Sequence, residues 1–134
     1  MFWIKDGSKP RYTYRASKVV YVKFLSIAEN NVNSKKLLMV QLPIIKNSEC
    51  SKKITAYTIK SNQLCAGGDK GKDSCNGDSG GPLFLMERES FDAPMRYTVI
   101  GVVSYGANDC GQPEMPGVYS RTSYFLPWIM QNMD

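Results

Sequence analysis

The stretch from residue 73 to residue 83 reads Asp73-Ser74-Cys75-Asn76-Gly77-Asp78-Ser79-Gly80-Gly81-Pro82-Leu83 and sets a serine among glycines. Glycine has no Cβ, so the backbone around Ser79 can adopt positive φ angles and come close to a ligand. Successive backbone N–H groups in such a turn can converge on one point and form a site for a developing oxyanion. The stretch is therefore typical of a serine that attacks a carbonyl group.

A serine hydroxyl needs a base to act as a nucleophile, and the usual base is an imidazole that a carboxylate holds in place. The 134 residues contain no histidine. Lysine replaces histidine in some hydrolases, but no lysine of this sequence lies in a recognisable Ser-Lys motif. We therefore expect no proteolysis from these residues alone.

Two fold contexts carry a serine among glycines, and the residues after Ser79 distinguish them. Residues 77–81 also satisfy G-x-S-x-G, the nucleophile elbow of α/β-hydrolases, which needs a helix after the serine and a histidine later in the chain. Here Pro82 follows almost at once, and residues 83–86 and 97–103 read as a strand pair because they are apolar and rich in β-branched residues. Polar residues 87–94 between them predict the tip of a hairpin. The elbow is thus disfavoured, and the order histidine, aspartate, serine is favoured, in which the partners lie upstream.

An ordered series of motifs from about Lys36 to Asp134 resembles the C-terminal half of chymotrypsin-like (trypsin-type, family S1) serine proteases. The motifs are Leu42-Pro43-Ile44 before Cys50, Cys65-Ala66-Gly67, residues 73–83, Val103-Ser104-Tyr105-Gly106, Cys110, Pro116-Gly117-Val118-Tyr119 and Trp128-Ile129. Residues 47–50 and 62–67 are similar to arthropod clip-domain proteases. The resemblance implies an all-β fold: a single, C-terminal six-stranded antiparallel Greek-key barrel of the two-barrel trypsin-like fold, followed by a short C-terminal helix.

The resemblance also implies a division of the chain. Residues 28–134 correspond to the C-terminal half of a trypsin-like peptidase domain, and residues 1–27 have no recognised counterpart and are left unassigned. The first strand is expected to be irregular, because residues 24–26 replace the Gly-Trp-Gly that is usual there, although Val19–Val22 can serve as a strand. The terminal helix is expected over residues 125–130, with Pro127 in its first turn. Since the histidine and aspartate motifs and the activation site are missing, we expect a fragment that lacks the N-terminal barrel.

The catalytic roles that the resemblance implies fall on three adjacent residues. Ser79 corresponds to the nucleophile, and the backbone N–H groups of Gly77 and Ser79 correspond to the oxyanion hole. Asp78 corresponds to the carboxylate that pairs with the newly cut N-terminal ammonium of an activated enzyme. The implied chemistry requires no cofactor and no metal.

The resemblance places the substrate-binding residues on both sides of the serine. Asp73 corresponds to the floor of the primary specificity pocket, where a buried carboxylate selects an Arg or Lys side chain because an unpaired buried charge is costly. Ser74 would add a hydrogen bond, and the glycines at 106 and 117 would leave the pocket walls open. Ser104, Tyr105 and Gly106 correspond to the strand that pairs with the substrate backbone. Pro116 stands where sodium-binding relatives have tyrosine, so no sodium site is expected.

Four cysteines allow three connectivities, and their spacing contains no C-x-x-C pair, which disfavours a zinc site. The resemblance implies disulfides between Cys50 and Cys65 and between Cys75 and Cys110. Disulfides require an oxidising compartment, so the resemblance implies an extracellular, secreted protein. The sequence nevertheless shows no signal peptide and no segment of transmembrane length.

The function implied is that of a secreted endopeptidase that cleaves after Arg or Lys, with protein substrates and protein inhibitors as partners. The alternative is a non-catalytic protease homologue that acts as a binding or regulatory module. The net charge of +5 is modest, and its lysines are scattered over separate loops, which argues against nucleic acid. No membrane partner is expected.

Overall fold

The structure, a computed structural model, describes residues 38–87, 92 and 94–133 and the backbone of residues 19–24. These residues form strands and helices in the order β1 (Val19–Phe24), β2 (Leu38–Ile45), α1 (Asn47–Lys53), β3 (Gln63–Gly67), β4 (Pro82–Glu87), β5 (Arg96–Tyr105), β6 (Pro116–Arg121) and α2 (Thr122–Gln131). The expected mostly-β chain with a C-terminal helix is confirmed.

All neighbouring strands are antiparallel. Strands β2, β3, β6, β5 and β4 form a curled sheet in that order, and β1 pairs with both β2 and β4 to close the ring. The expected strand pair after the serine is confirmed, since β4 and β5 pair from Pro82 opposite Val102 to Glu87 opposite Arg96, with an irregularity between Leu83 and Phe84. Most of the hairpin tip expected at 87–94 lies outside the described residues.

The described part of the first strand is regular, whereas residues 25–26, on which the expected irregularity partly rested, lie outside the described residues. Its ladder with β2 runs unbroken from Val19 opposite Pro43 to Phe24 opposite Leu38. The reason is the run of β-branched residues at its start, which favours extended backbone without the glycines that are usual at this place.

The core fills the inside of the curled sheet. Its largest fully buried side chain is Tyr119. A Cβ built on Gly101 would lie 3.1 Å from the Tyr119 Cβ, so the absence of a side chain at 101 makes room for the tyrosine. The other buried members of this cluster are Leu42, Leu64, Ala66, Leu83, Leu85, Ile100 and Val103.

The two disulfides join Cys50 with Cys65 and Cys75 with Cys110, the pairing that the resemblance implies. The first ties α1 to β3 inside a second buried cluster with Ile54, Ile59 and Val118. The second ties the segment before the serine to the loop between β5 and β6. Both bridges therefore brace loops next to the strands that carry the candidate site.

Helix α2 starts earlier than expected and differs at its proline. It begins at Thr122, which places Pro127 inside the helix and not in its first turn. Proline has no N–H, so the Ser123 carbonyl loses its helical donor. The helix tolerates this because none of its residues is buried, and Trp128 and Met130 are 64% and 60% exposed. In the part of the chain that the structure describes, no helix combines the length and apolar character needed to span a membrane.

Candidate active site

Ser79 lies exposed at the centre of two consecutive tight turns. The Asp78 N–H donates to the Cys75 carbonyl at 3.0 Å, and the Gly81 N–H donates to the Asp78 carbonyl at 2.9 Å. The glycines at 77 and 80 have φ angles of 97° and 83°, which residues with a Cβ rarely adopt. The glycines on either side of the serine are therefore required by the backbone that presents it.

The serine turn is fastened to strand β5. The Gly80 N–H donates to the Val103 carbonyl at 3.0 Å, and the Val103 N–H donates back to the Gly81 carbonyl at 2.9 Å. This reciprocal pair places Ser79 beside the end of β5, where Ser104 and Tyr105 lie. The N–H groups of Gly77 and Ser79 have no hydrogen-bond acceptor among the described residues, so both remain available to a ligand.

Asp78 is buried under the serine turn, with 6% of its surface exposed. Its Oδ2 accepts a hydrogen bond from the Cys75 N–H at 2.7 Å, whereas its buried Oδ1 has no partner among the described residues. Burial raises the pKa of this carboxyl above its ordinary value, the Cys75 N–H acts in the opposite direction, and the negative charge of Asp73 raises the pKa further. Asp78 is thus a half-satisfied buried acid that a cation would stabilise.

Asp73 is the second buried acid of the site and is 7% exposed. Its Oδ1 accepts from the Ser74 N–H at 2.8 Å, and its Oδ2 accepts from the Gly111 N–H at 3.2 Å. Burial raises the pKa of this carboxyl, and the two N–H groups only partly offset that effect. The loop that carries Gly111 is held in place by the Cys75–Cys110 disulfide, which explains how two distant segments meet at this carboxylate.

Gly117 lies against both Asp73 and Tyr119. A Cβ at this position would lie 3.1 Å from the Tyr119 Oη and 3.3 Å from the Asp73 Oδ1, which is closer than ordinary contact. The Tyr119 Oη is also 3.0 Å from the Ser74 Oγ, and burial raises the pKa of this phenol. Asp73, Ser74, Gly117 and Tyr119 therefore form one packed group. Gly106 approaches it as well, because its added Cβ would lie 3.7 Å from the Gly117 Cα.

A cavity of about 240 Å³ adjoins Ser79. The expected residues that line it are Ser74, Ser79, Ser104, Tyr105 and Gly106, together with both cysteines of the second disulfide. Asp73 and Gly117 are not among its lining residues. The structure therefore brings the serine, the substrate strand and the near part of the expected pocket together, and keeps the Asp73 carboxylate covered by the Gly111 loop.

Sequence reasoning missed the surroundings of Tyr105. The Tyr105 ring meets the Tyr57 ring edge to face, with centroids 5.4 Å apart, and the Gln63 Nε2 donates to the Tyr105 Oη at 3.3 Å. Tyr57 could have been identified from the sequence, because it is an aromatic residue in the loop between the paired Cys50 and Cys65. Nothing in the sequence marked Gln63, because its partner lies 42 residues away.

Among the described residues, the site holds no candidate base for Ser79. The sequence has no histidine, and the residues that line the serine cavity include no lysine and no carboxylate. Among the described residues there is also no cluster of three or more potential metal ligands. What the site offers is a presented hydroxyl, two free N–H groups and two buried acids.

Sequence comparison gives the family of this antiparallel β domain with its serine on a glycine turn. Residues 7–129 match the family model described as Trypsin. The chain therefore belongs to the trypsin family of serine proteases, as the resemblance indicated. The match begins within the segment 1–27 that we left unassigned.

Several insect proteins are similar to this chain. Melanization protease 1 of Drosophila melanogaster is 41% identical over 107 residues, which are 78% of this chain and 26% of the relative. CLIP domain-containing serine protease B4 of Anopheles gambiae is 40% identical, covering 75% of this chain and 27% of the relative. Protein masquerade of Drosophila melanogaster is 41% identical over 68% of this chain and 8% of its own length. The chain spans only about a quarter, or less, of the length of these relatives.

Proposed function

We propose that residues 28–134 are the C-terminal half of a secreted endopeptidase domain that cleaves polypeptides after Arg or Lys. The observation that carries this proposal is the exposed Ser79 beside two unpaired N–H groups, next to a cavity and a buried aspartate. The barrel would be the Greek-key second barrel of a two-barrel fold. The exposed Trp128 and Met130 of α2 are the kind of surface that a preceding half would cover.

In the proposed mechanism Ser79 attacks the scissile carbonyl. A histidine outside these 134 residues takes the Ser79 proton and later delivers it to the leaving amine. The Gly77 and Ser79 N–H groups donate to the oxygen of the tetrahedral intermediate, which is where preorganised donors lower the barrier most. The free state of both N–H groups supports this role.

Substrate specificity in this proposal comes from Asp73. Its buried carboxylate does not line the cavity, but it would favour an Arg or Lys side chain that extends from the cavity past the Gly111 loop. Ser74, which lines the cavity, offers a further hydrogen-bond acceptor. The substrate backbone would pair with Ser104, Tyr105 and Gly106 as an added strand. Since Ser104 and Gly106 are exposed, this edge is open to a peptide.

Asp78 is the proposed activation switch. Its buried Oδ1 has no partner among the described residues, and an ammonium group arriving there would remove the cost of the unpaired charge. The relatives Phenoloxidase-activating enzyme and Spaetzle-processing enzyme support protein substrates, and we extend that class of partner, with protein inhibitors, to this chain.

The proposal requires that these residues belong to a longer gene product, and the test uses that product. We expect that product, once activated, to hydrolyse a chromogenic peptide with Arg at the cleavage site, and Ser79→Ala to reduce turnover by at least about 10³-fold. The 134-residue chain alone should give no turnover near that rate. Hydrolysis that survives Ser79→Ala in the longer product would refute the assignment.

A second candidate is a non-catalytic homologue that binds proteins without cleaving them. The absence of histidine from these 134 residues favours it. The same longer product separates the two candidates, because an in-frame histidine with Ser79-dependent turnover supports the enzyme. A complete transcript without that histidine, and without turnover, supports the binding module.

A further inference from the structure

A groove larger than the serine cavity lies on the far side of Tyr105. Its volume is about 750 Å³. The side chains that line it are mostly polar: the phenols of Tyr57 and Tyr105, the amides of Asn62, Gln63 and Asn108, and the ammonium of Lys60. Such a surface suits a polar segment of polypeptide better than an apolar ligand.

The groove continues the site of the serine. Tyr105, Gly106 and Asn108 line both the serine cavity and this groove. A peptide that pairs antiparallel with residues 104–106 would therefore run from Ser79 into the groove. Because the two strands run in opposite directions, the part of the peptide that enters the groove is N-terminal to the scissile bond.

One glutamine side chain fixes Lys60 relative to the strand that would pair with substrate. The Gln63 Nε2 donates to the Tyr105 Oη at 3.3 Å, while the Gln63 Oε1 accepts from the Lys60 N–H at 2.9 Å. The Lys60 carbonyl in turn accepts from the Gln63 N–H at 3.1 Å and from the Asn47 Nδ2 at 3.1 Å. The backbone of Lys60 is thus held in place, and its side chain is left to reach a ligand.

Lys60 brings an uncompensated charge to the groove. It is exposed, and it is the one charged side chain among the described residues that line the groove. The ion pairs found in the described ranges join Lys53 with Glu114 and Lys72 with Asp69, and neither involves Lys60. The groove therefore carries a net positive charge with no internal partner.

We propose that this groove is a subsite for an acidic side chain of the substrate, located three or more residues N-terminal to the scissile bond, with Lys60 as the residue that selects it. The inference rests on the proposed protease function and deepens it. The Glu or Asp side chain contacts the Lys60 ammonium, while the Asn62, Gln63 and Asn108 amides border the same space. Substrates with an acidic residue upstream of the cleaved Arg or Lys are bound in preference to neutral ones.

The size of the preference follows from the exposure of Lys60. Ion pairs at exposed sites contribute little, and their strength corresponds to about a two- to five-fold difference in Kd. Raising the salt concentration to about 0.5 M should remove most of it, because exposed charges are screened.

The test measures the binding of two peptides to the 134-residue chain by NMR titration. Both peptides end in Arg and differ only in Glu or Gln three residues before it, and the shifts of the Tyr105 and Gly106 amides report binding. We expect the Glu peptide to bind about two- to five-fold more tightly, the preference to vanish in Lys60→Gln and to invert in Lys60→Glu. Lys52→Gln is the matched control, since Lys52 is exposed on α1 and lines neither cavity.

A further variant distinguishes a failure of the Lys60 subsite from a failure of the proposed protease function. Asp73→Asn should weaken the binding of both peptides and leave their ratio unchanged. If neither peptide binds the wild-type chain, the proposed substrate site fails and the subsite fails with it. If both bind in an Asp73-dependent way but equally, or if Lys60→Gln keeps the preference, only the Lys60 subsite is refuted.

Discussion

The Gly80 N–H donates a hydrogen bond to the Val103 carbonyl at 3.0 Å, and this contact fixes the serine turn to the end of β5. A turn of this kind would otherwise be a free loop, since loops have few backbone partners of their own. The position of the Ser79 hydroxyl relative to Ser104, at the end of β5, is therefore fixed before any ligand binds. Preorganisation of this kind reduces the entropy lost on binding.

Gly80→Ala should destabilise the chain through its backbone alone. The φ angle of Gly80 is 83°, and no atom lies within 4 Å of an added Cβ, so strain in the left-handed region is the whole effect. We expect a loss of about 1–2 kcal/mol in the free energy of unfolding, measured by urea denaturation. Gly106→Ala is the control, because its added Cβ meets only ordinary contact at 3.7 Å. Equal losses in the two variants would contradict the strain argument.

Gly117→Ala should act through crowding. The added methyl group would press on the Tyr119 ring and the Asp73 carboxylate at 3.1–3.3 Å, and overpacking of this kind costs about 1–3 kcal/mol. The unfolding free energy should fall by that amount. Binding of the Arg-ended peptide should weaken in parallel, because Asp73 is displaced. Unchanged stability would show that Tyr119 can move away without cost.

The pH dependence of the free energy of unfolding should reflect the ionisation of the Asp78 carboxyl. Burial raises the pKa of this carboxyl in the folded chain, so the folded state holds the proton more tightly than the unfolded state does. Stability from this group is therefore fully present below the unfolded pKa and is lost as pH rises through the folded pKa. Asp78→Asn removes the charge, so its stability relative to wild type should fall as pH drops from about 7 to about 4.

Urea unfolding of wild type and Asp78→Asn across that pH range measures the difference directly. Asp69→Asn is a suitable control, since Asp69 is exposed and forms only a surface pair with Lys72. If Asp78→Asn instead became more stable relative to wild type as the pH is lowered, the sign would be wrong for a buried acid with a raised pKa.

The two disulfides should stabilise the chain by different amounts. They span 15 and 35 residues, and the chain-entropy model gives about 3 and about 4 kcal/mol for loops of these lengths. Paired serine substitutions at 50 and 65 should therefore cost less than those at 75 and 110. Calorimetry or urea unfolding of the two variants gives the order, and the reverse order would indicate that the first bridge contributes mainly through its buried packing.

Much of the fold could be predicted from sequence because its signals are local. The strands on either side of the hairpin follow from runs of apolar and β-branched residues, and β1 follows from Val19–Val22 even without the usual glycines. The expected helix at 125–130 lies within α2, but its start was predicted three residues too late, because proline is common in the first turn of a helix and Pro127 was assigned there.

Only those residues of the site that belong to a sequence motif could be predicted. The turn around Ser79 was recognisable from its glycines, whereas the unpaired Oδ1 of Asp78 depends on which atoms surround it. The contact of Asp73 with the Gly111 N–H joins residues 38 positions apart, and no local pattern encodes such a distance. The same holds for the Gln63 side chain that links Lys60 to Tyr105.

The closed strand order also sets the sequence of events during folding. Tyr21 of β1 pairs with Gln41 of β2 on one side and with Phe84 of β4 on the other. While a ribosome makes this part of the chain, β1 and β2 can pair early, but the second edge of β1 stays open until β4 has emerged. Closing that long loop is the slow, entropically costly step, so the newly made chain is most exposed to strand exchange with its neighbours just before the serine turn is completed.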